Sequence, residues 1–160
     1  MTPAIKLLDK RKIPYQMREY TAESGTGNYG EAAARALNQD TARVFKTLIT
    51  VIDGQQRKPV VSLVAVADQL DLKKVATAMK GKKAVIADPG LAQKATGYVV
   101  GGISPLGQRQ LLPTLIDQTA NNFNTIFISG GKRGFQLEID PAHLIELLKA
   151  RYAIISRSHS

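Results

Sequence analysis

Two glycine-rich turns and one lysine are the residues of this chain whose types and spacing could do chemistry. In the stretch Gly97-Tyr98-Val99-Val100-Gly101-Gly102-Ile103-Ser104-Pro105-Leu106-Gly107, a short β-branched and aromatic run feeds a paired glycine, and Pro105 closes the loop. Glycine admits positive φ and lets a ligand approach bare main chain. Proline lacks an N–H and fixes φ, which stiffens the far side. Such a turn aims N–H groups outward, where they could bind an anion or hold the oxyanion of an acyl-transfer transition state. A purely structural turn is the other reading, because Gly and Pro mark turns in general. The second turn, Gly130-Gly131-Lys132-Arg133-Gly134, adds two cations to its glycines, so Lys132 or Arg133 could neutralise a phosphate. Lys46 stands inside the apolar run Val44 to Ile52, sharing a face with Val44 and Leu48. Burying an unpartnered ammonium costs roughly several kcal/mol. Either Lys46 snorkels to water near the start of a strand, or it points into a cleft toward an anionic or carbonyl-bearing ligand.

This inventory suits a reaction that needs positioning and oxyanion stabilisation but no strong protein nucleophile. An activated ester is such a substrate. The chain has no cysteine, which removes disulfides, thiolate metal sites and a cysteine nucleophile. It has no GxGxxG, GxxxxGK[ST] or HExxH pattern. His143 and His159 fall on a C-terminal helix and in the tail, a placement that argues against a histidine triad or a metal site. Glu138 and Asp140 bracket a strand end and read as solvated charge rather than a catalytic pair.

The elements that must position these residues follow from local signals. Thr2-Pro3 caps a helix over 3–12, and residues 15–20 alternate as a strand. A Gly/Ser/Asn-rich loop over 21–30 precedes a helix over 31–37. Residues 44–52 form an interior strand that reaches the Asp53-Gly54 turn, with 59–66 as its hairpin partner. Asp71 caps a helix ending at Gly81, 84–87 is a short strand, and Asp88-Pro89 opens a helix ending at Gly97. Residues 98–100 read as a short strand and 110–116 are ambiguous. Residues 125–129 and 135–139 are strands around the basic turn, and Pro141 opens a helix running to about Arg151. Short strands mixed with short helices, without strict βαβ alternation, predict an α+β fold with a curved, barrel-like mixed sheet surrounded by helices.

With 160 residues, 44% of them hydrophobic, the chain is sized for a single domain over 1–160 with a real core. No apolar segment is long enough to span a bilayer. The start lacks the layout of a signal peptide, which leads to the expectation of a cytoplasmic protein without membrane association. Twenty-two Lys and Arg against 13 Asp and Glu give a formal charge of +9, which favours a polyanionic partner such as nucleic acid. Aromatic residues are only 6%, so a large base-stacking platform is not expected.

Taken together, several segments resemble the freestanding YbaK-type deacylases, relatives of the editing domain inserted in bacterial prolyl-tRNA synthetases. They are Met1-Thr2-Pro3-Ala4-Ile5, Phe45-Lys46-Thr47-Leu48, Ala92-Gln93-Lys94-Ala95-Thr96-Gly97-Tyr98, Gly101 to Gly107, and Ser129-Gly130-Gly131-Lys132-Arg133-Gly134. The resemblance spans nearly the whole chain. It implies a mixed-sheet editing fold that hydrolyses Cys-tRNA(Pro) without a cofactor or metal, beside prolyl-tRNA synthetase as partner. By the same resemblance, Lys46 contacts the acceptor end of the charged tRNA, and the loop Gly101, Gly102, Ile103, Ser104, Pro105 supplies N–H groups around the aminoacyl carbonyl. Tyr20, Thr47 and Ser129 match pocket positions, and Tyr29 stands where the family often has phenylalanine. Gln136 occupies a position that is aspartate in some relatives. Gly130, Gly131, Lys132 and Arg133 complete the expected binding set.

The family mechanism implied is substrate-assisted: the cysteine thiol attacks its own ester while the protein holds the geometry. Clearance of Ala-tRNA(Pro) by water, a non-catalytic tRNA- or synthetase-binding module, and a small-molecule-binding domain are the other readings.

Overall fold

The computed structural model describes residues 1–21 and 29–159. Thr2 caps α1 (Pro3–Arg11), its hydroxyl accepting from Ile5 N–H, and Lys12 ends it in the left-handed conformation. Then come β1 (Gln16–Glu19), α2 (Tyr29–Ala36), β2 (Phe45–Ile52), β3 (Val60–Ala65), β4 (Asp68–Leu70), α3 (Leu72–Ala78), β5 (Ala84–Ile86) and α4 (Pro89–Thr96). After the glycine loop follow β6 (Thr114–Asp117), a 3-10 turn (Gln118–Asn122), β7 (Ile126–Lys132), β8 (Phe135–Ile139), α5 (Pro141–Leu148), β9 (Arg151–Ala153) and β10 (Ser156–Ser158). Asp71, Asp88 and Asp140 each accept from an N–H in the first turn of α3, α4 and α5, satisfying donors a helix start otherwise leaves orphaned.

The strands form a mixed five-stranded sheet in the order β5-β2-β3-β6-β9, a three-stranded sheet β1-β8-β7, and the pair β10-β4. The β2–β3 and β2–β5 pairs are antiparallel, whereas β3–β6 and β6–β9 are parallel. The α+β class is therefore as expected. Among the described residues the strands do not close into a barrel: a single bridge, Val44 to Phe127, links the two larger sheets, and β1 remains an exposed edge.

Strand alternation on β2 divides the interior. Phe45, Ile49 and Val51 join the large core with Ala4, Ile5 and Leu8 of α1 and the inner residues of β7 and β8. Ile52 turns to the opposite side, where it packs with Val60, Leu115 and Ile155 against Val75 and Ala76 of α3.

Several local expectations are corrected. Residues 98–100 are not a strand; they form turns directly after the left-handed Gly97, and Gln93 Oε1 of α4 takes the Val100 N–H. The helix expected from Glu31 begins at Tyr29, which puts Tyr29 and Gly30 on α2. The loop expected over 21–30 lies largely outside the described residues. β7 runs on through Gly130 and Gly131, with a register shift between Ser129 and Lys132, so the basic turn shrinks to Arg133-Gly134. The last helix stops at Leu148 because Lys149 takes the left-handed conformation. β4, β9 and β10 are too short to show as periodic patterns. No described helix is long and apolar enough to cross a membrane.

Candidate active site

A cavity of about 570 Å³ opens between β2, the start of α2, the segment joining β5 to α4, and the glycine loop. That volume lies within the range of small-molecule and nucleotide sites. Lys46 lines it, being the second residue of β2. Half-burial pushes its ammonium below the ordinary lysine range, and the Glu31 and Asp68 carboxylates offset that only in part. Lys46 thus stands half-buried at the cavity wall.

The glycine loop is built as a frame around its free donors. Gly102 N–H donates to Val99 carbonyl at 2.9 Å, closing the first turn. Leu106 N–H donates to Ser104 Oγ at 3.2 Å, Gln108 Nε2 to Ser104 carbonyl at 3.0 Å, and Tyr98 hydroxyl to Leu106 carbonyl at 2.5 Å. Burial pushes the Tyr98 hydroxyl up to about 12, so it stays a donor. Gly101 and Ile103 line the cavity, and no described group accepts from the N–H of either. Gly101 has φ +90°, and a Cβ there would meet the Tyr29 ring at 2.7 Å, so both conformation and space require glycine.

The second glycine turn braces the first. A Cβ on Gly102 would lie 2.7 Å from Lys132 Cα and 2.9 Å from Arg133 N, so the two backbones meet at Gly102. Arg133 donates from Nη2 to Val100 carbonyl at 2.8 Å, and its guanidinium lies 4.3 Å from the centre of the Tyr29 ring. Lys132 Nζ lies 5.3 Å from the Phe135 ring centre. Thr2 Oγ1 donates to Gly130 carbonyl at 2.5 Å, which ties the start of α1 to the end of β7.

The opposite wall is polar. Thr47, Ser129 and Gln136 line the cavity. Thr47 Oγ1 and Gln136 Oε1 are buried with no partner among the described residues, and Gln136 is only 8% exposed. Buried polar atoms are nearly always satisfied, so unfilled acceptors in a cavity wall mark where ligand donors would go. Ser129 Oγ accepts from Gly131 N–H at 3.2 Å. Tyr20 is anchored by its N–H to Gly134 carbonyl at 3.0 Å. Burial raises its hydroxyl, and contacts with Gly134 and Gln136 pull it partly back.

Of the residues singled out from sequence, Lys46, Thr47, Tyr29, Gly101, Ile103, Ser129 and Gln136 line one cavity. Tyr20, expected in the pocket, does not line the cavity, although its hydroxyl contacts Gln136, which does. Gly102, Ser104 and Pro105 are buried within the loop frame, and Gly130, Gly131, Lys132 and Arg133 form the brace beneath it. Sequence reasoning missed the apolar lining from Leu48, Ile86 and Ala92, and above all His159. Pairing of Ser158 with Asp68 carries the C-terminal segment back to the cavity rim. No local signal marks a three-residue strand as the carrier of a rim residue.

The aminoacyl-tRNA editing domain family model matches residues 25–147. The chain is 35% identical over 155 residues, 97% of its own length and 93% of the relative's, to "Putative Cys-tRNA(Pro)/Cys-tRNA(Cys) deacylase EbsC" of Enterococcus faecalis. In structure it is similar to the hypothetical protein APE2540, with TM-score 0.86, 18% identity and coverage of 97% of this chain and 99% of that one. It is also similar to "a putative trans-editing enzyme for prolyl tRNA synthetase", with TM-score 0.83, 23% identity and 99% of both chains covered. At those identities the structures speak for the fold alone. The match over most of the chain, with a relative similar from end to end, places this protein in the aminoacyl-tRNA editing domain family.

Proposed function

We propose that the protein is a trans-editing hydrolase that deacylates mischarged Cys-tRNA(Pro), acting over residues 1–160 as one editing domain, with prolyl-tRNA synthetase as its partner. The observation that carries this reading is the sharing of one cavity by Lys46 and the two unclaimed N–H groups of Gly101 and Ile103. The 35% identical relative with Cys-tRNA deacylation in its name supports the substrate class.

Lys46 binds the phosphate or ribose end of the terminal nucleotide, and Thr47 Oγ1 and Gln136 Oε1 accept from the amine of the amino acid. The cysteine sulfur attacks its own ester carbonyl. The tetrahedral oxyanion is held by the loop N–H groups. Collapse breaks the bond to the ribose oxygen, which takes up the thiol proton, and releases tRNA and a cyclic thioester that water later opens to cysteine. The protein supplies orientation and oxyanion stabilisation, which suits a cavity whose serine hydroxyl is engaged by a backbone N–H rather than by a base.

The test is a deacylation panel of Cys-, S-methyl-Cys-, Ala-, Ser- and Pro-tRNA(Pro), run with wild type and Lys46→Ala. Fast release from Cys-tRNA(Pro) alone, lost in Lys46→Ala, is the expected outcome. Equal rates for Cys and Ser would remove the thiol step, and wild-type turnover by Lys46→Ala would remove the site.

A further inference from the structure

We propose that the side of the five-stranded sheet covered by α3 is the track for the phosphate backbone of the RNA whose charged end enters the cavity. The proposal rests on the deacylase reading for the identity of that RNA, and adds the surface that holds its body.

Alternation along β2 puts Lys46, Leu48, Thr50 and Ile52 on one face, and Ile52 on that face is buried against Val75 and Ala76 of α3. Register places more residues there: Thr50 pairs with Ile86, Ile52 with Ala84, and Leu115 with Arg151. The ammonium that lines the cavity and the helix α3 therefore stand on the same side of the sheet. They are separated by six residues of strand, about 20 Å. Leu48 and Ile86 bridge that interval, both lining the cavity, and Ile86 is 51% exposed. β4 and β10 run beside this interval: Ser158 pairs with Asp68 at the cavity end, and Asp71, directly after β4, caps α3.

What a chain leaving the cavity along this face meets at α3 is positive charge. Lys73 and Lys74 on α3, Lys80 beyond it, and Lys82 and Lys83 ahead of β5 are all exposed, as is Arg157 on β10. Two of the basic side chains in this region knit the face together: Lys74 Nζ donates to Ser156 carbonyl at 2.8 Å, and Arg151 donates to Ala78 carbonyl. Asp68 and Glu31 stand near Lys46 at the cavity end, whereas the carboxylates nearer α3 are engaged by backbone. Asp53 accepts from the backbone N–H groups of Lys82 and Lys83 at 3.0 and 2.8 Å, and Asp71 accepts from Lys74 N–H at 3.1 Å as the cap of α3. Among the described residues no carboxylate lies at ion-pair distance from Lys73, Lys80, Lys82 or Lys83. Aromatic residues are 6% of the chain and tryptophan is absent, so contact is with phosphate and ribose rather than stacked bases. A second basic cluster, Lys6, Lys10, Arg11 and Lys12, is carried by α1 and its C-cap, which dock on the large core and do not line the cavity; Lys132 and Arg133 belong to the brace of the glycine loop.

The experiment compares two charge-matched variants, Lys73→Gln/Lys80→Gln/Lys82→Gln/Lys83→Gln and Lys6→Gln/Lys10→Gln/Arg11→Gln/Lys12→Gln. The probe is uncharged tRNA(Pro) transcript, with Kd measured between about 50 and 200 mM salt. The α3-face variant should bind roughly 10- to 100-fold more weakly at low salt, with a log–log salt slope shallower by about 0.7–0.9 per lost phosphate contact. The α1 variant should stay within about twofold of wild type, on the same counterion-release argument. Both should cleave a cysteinyl ester of a short CCA-ending oligonucleotide at the wild-type rate, which shows that the cavity is folded. An unchanged Kd and slope in the α3-face variant, or an equal loss in the α1 variant, overturns the proposal. Failure of the deacylase reading shows separately, as no turnover of any charged tRNA by wild type, and leaves the binding comparison intact.

Discussion

The hydroxyl of Tyr98 donates to the carbonyl of Leu106 at 2.5 Å, pinning the two flanks of the glycine loop to each other inside the protein. Tyr98→Phe strips that carbonyl of its donor while leaving the ring in place, at a cost of about 1–2 kcal/mol. The loop loosens, so kcat should fall more than KM rises in a deacylation assay. The raised tyrosine also has a pH consequence. Its folded value, about 12, lies above the usual 10, so the unfolded chain loses the proton first and stability falls as pH rises between those values. Alkaline melts should show a flatter decline for Tyr98→Phe than for wild type.

Lys46→Met should separate stability from activity. The lysine is held below its ordinary range by burial, so removing the charge removes a desolvation penalty. Thermal melts at pH 7 should show no loss of stability, because solvent screening and the nearby Glu31 and Asp68 leave only a small net effect, with deacylation lost. For wild type the sign follows: the unfolded chain binds more protons between the lowered and the ordinary lysine value, so this group's contribution to stability improves as pH rises through that window. A melting temperature well below wild type would mean that Lys46 is a structural residue.

Gly102→Ala tests the contact between the two turns. The added Cβ would strike main chain, 2.7 Å from Lys132 Cα, where no side chain can swing aside. The expected cost is about 2–4 kcal/mol, with deacylation reduced at temperatures where the variant is still folded. A fully active, wild-type-stable variant would show that the turns are not coupled.

Glu138 accepts from Thr125 Oγ1 at 2.7 Å, Arg18 Nη2 at 2.9 Å and Arg43 Nη2 at 3.0 Å, joining β1, β8 and the entry to β2. These partners hold its carboxyl below the usual range, with Thr125 and then Arg18 as the largest favourable causes. Its contribution is present above the unfolded value near 4.3 and is lost as pH falls through the lower folded value. Glu138→Gln should cost about 1–3 kcal/mol at pH 7, measured by denaturant unfolding, and the difference should shrink toward acid pH.

Elements with strong local signals are legible from sequence: caps at Thr2, Asp71, Asp88 and Asp140, and the apolar runs of β2, β3 and β8. The α+β class follows from them. The elements that escape are those set by tertiary contact. β10 exists because Ser156 to Ser158 find Leu70 to Asp68, a pairing between segments far apart in the chain. Tyr98 to Val100 have strand propensity but follow the left-handed Gly97 directly, and the turn they enter overrides it. Glu138 reads as solvated charge until Arg43 and Arg18 are brought beside it. For the site, the residue types at Lys46 and Gly101 announce themselves. The use of the Gly102 N–H within a turn, and the arrival of His159 at the rim, depend on geometry that spacing does not encode.

The bond from Thr2 to Gly130 joins residues 128 positions apart. During synthesis this tie between α1 and β7 therefore closes only after residue 130 has left the ribosome. Prematurely terminated chains that stop before Gly130 lack this tie and the Lys132 and Arg133 backbone that meets Gly102, so an incomplete copy carries an unbraced glycine loop.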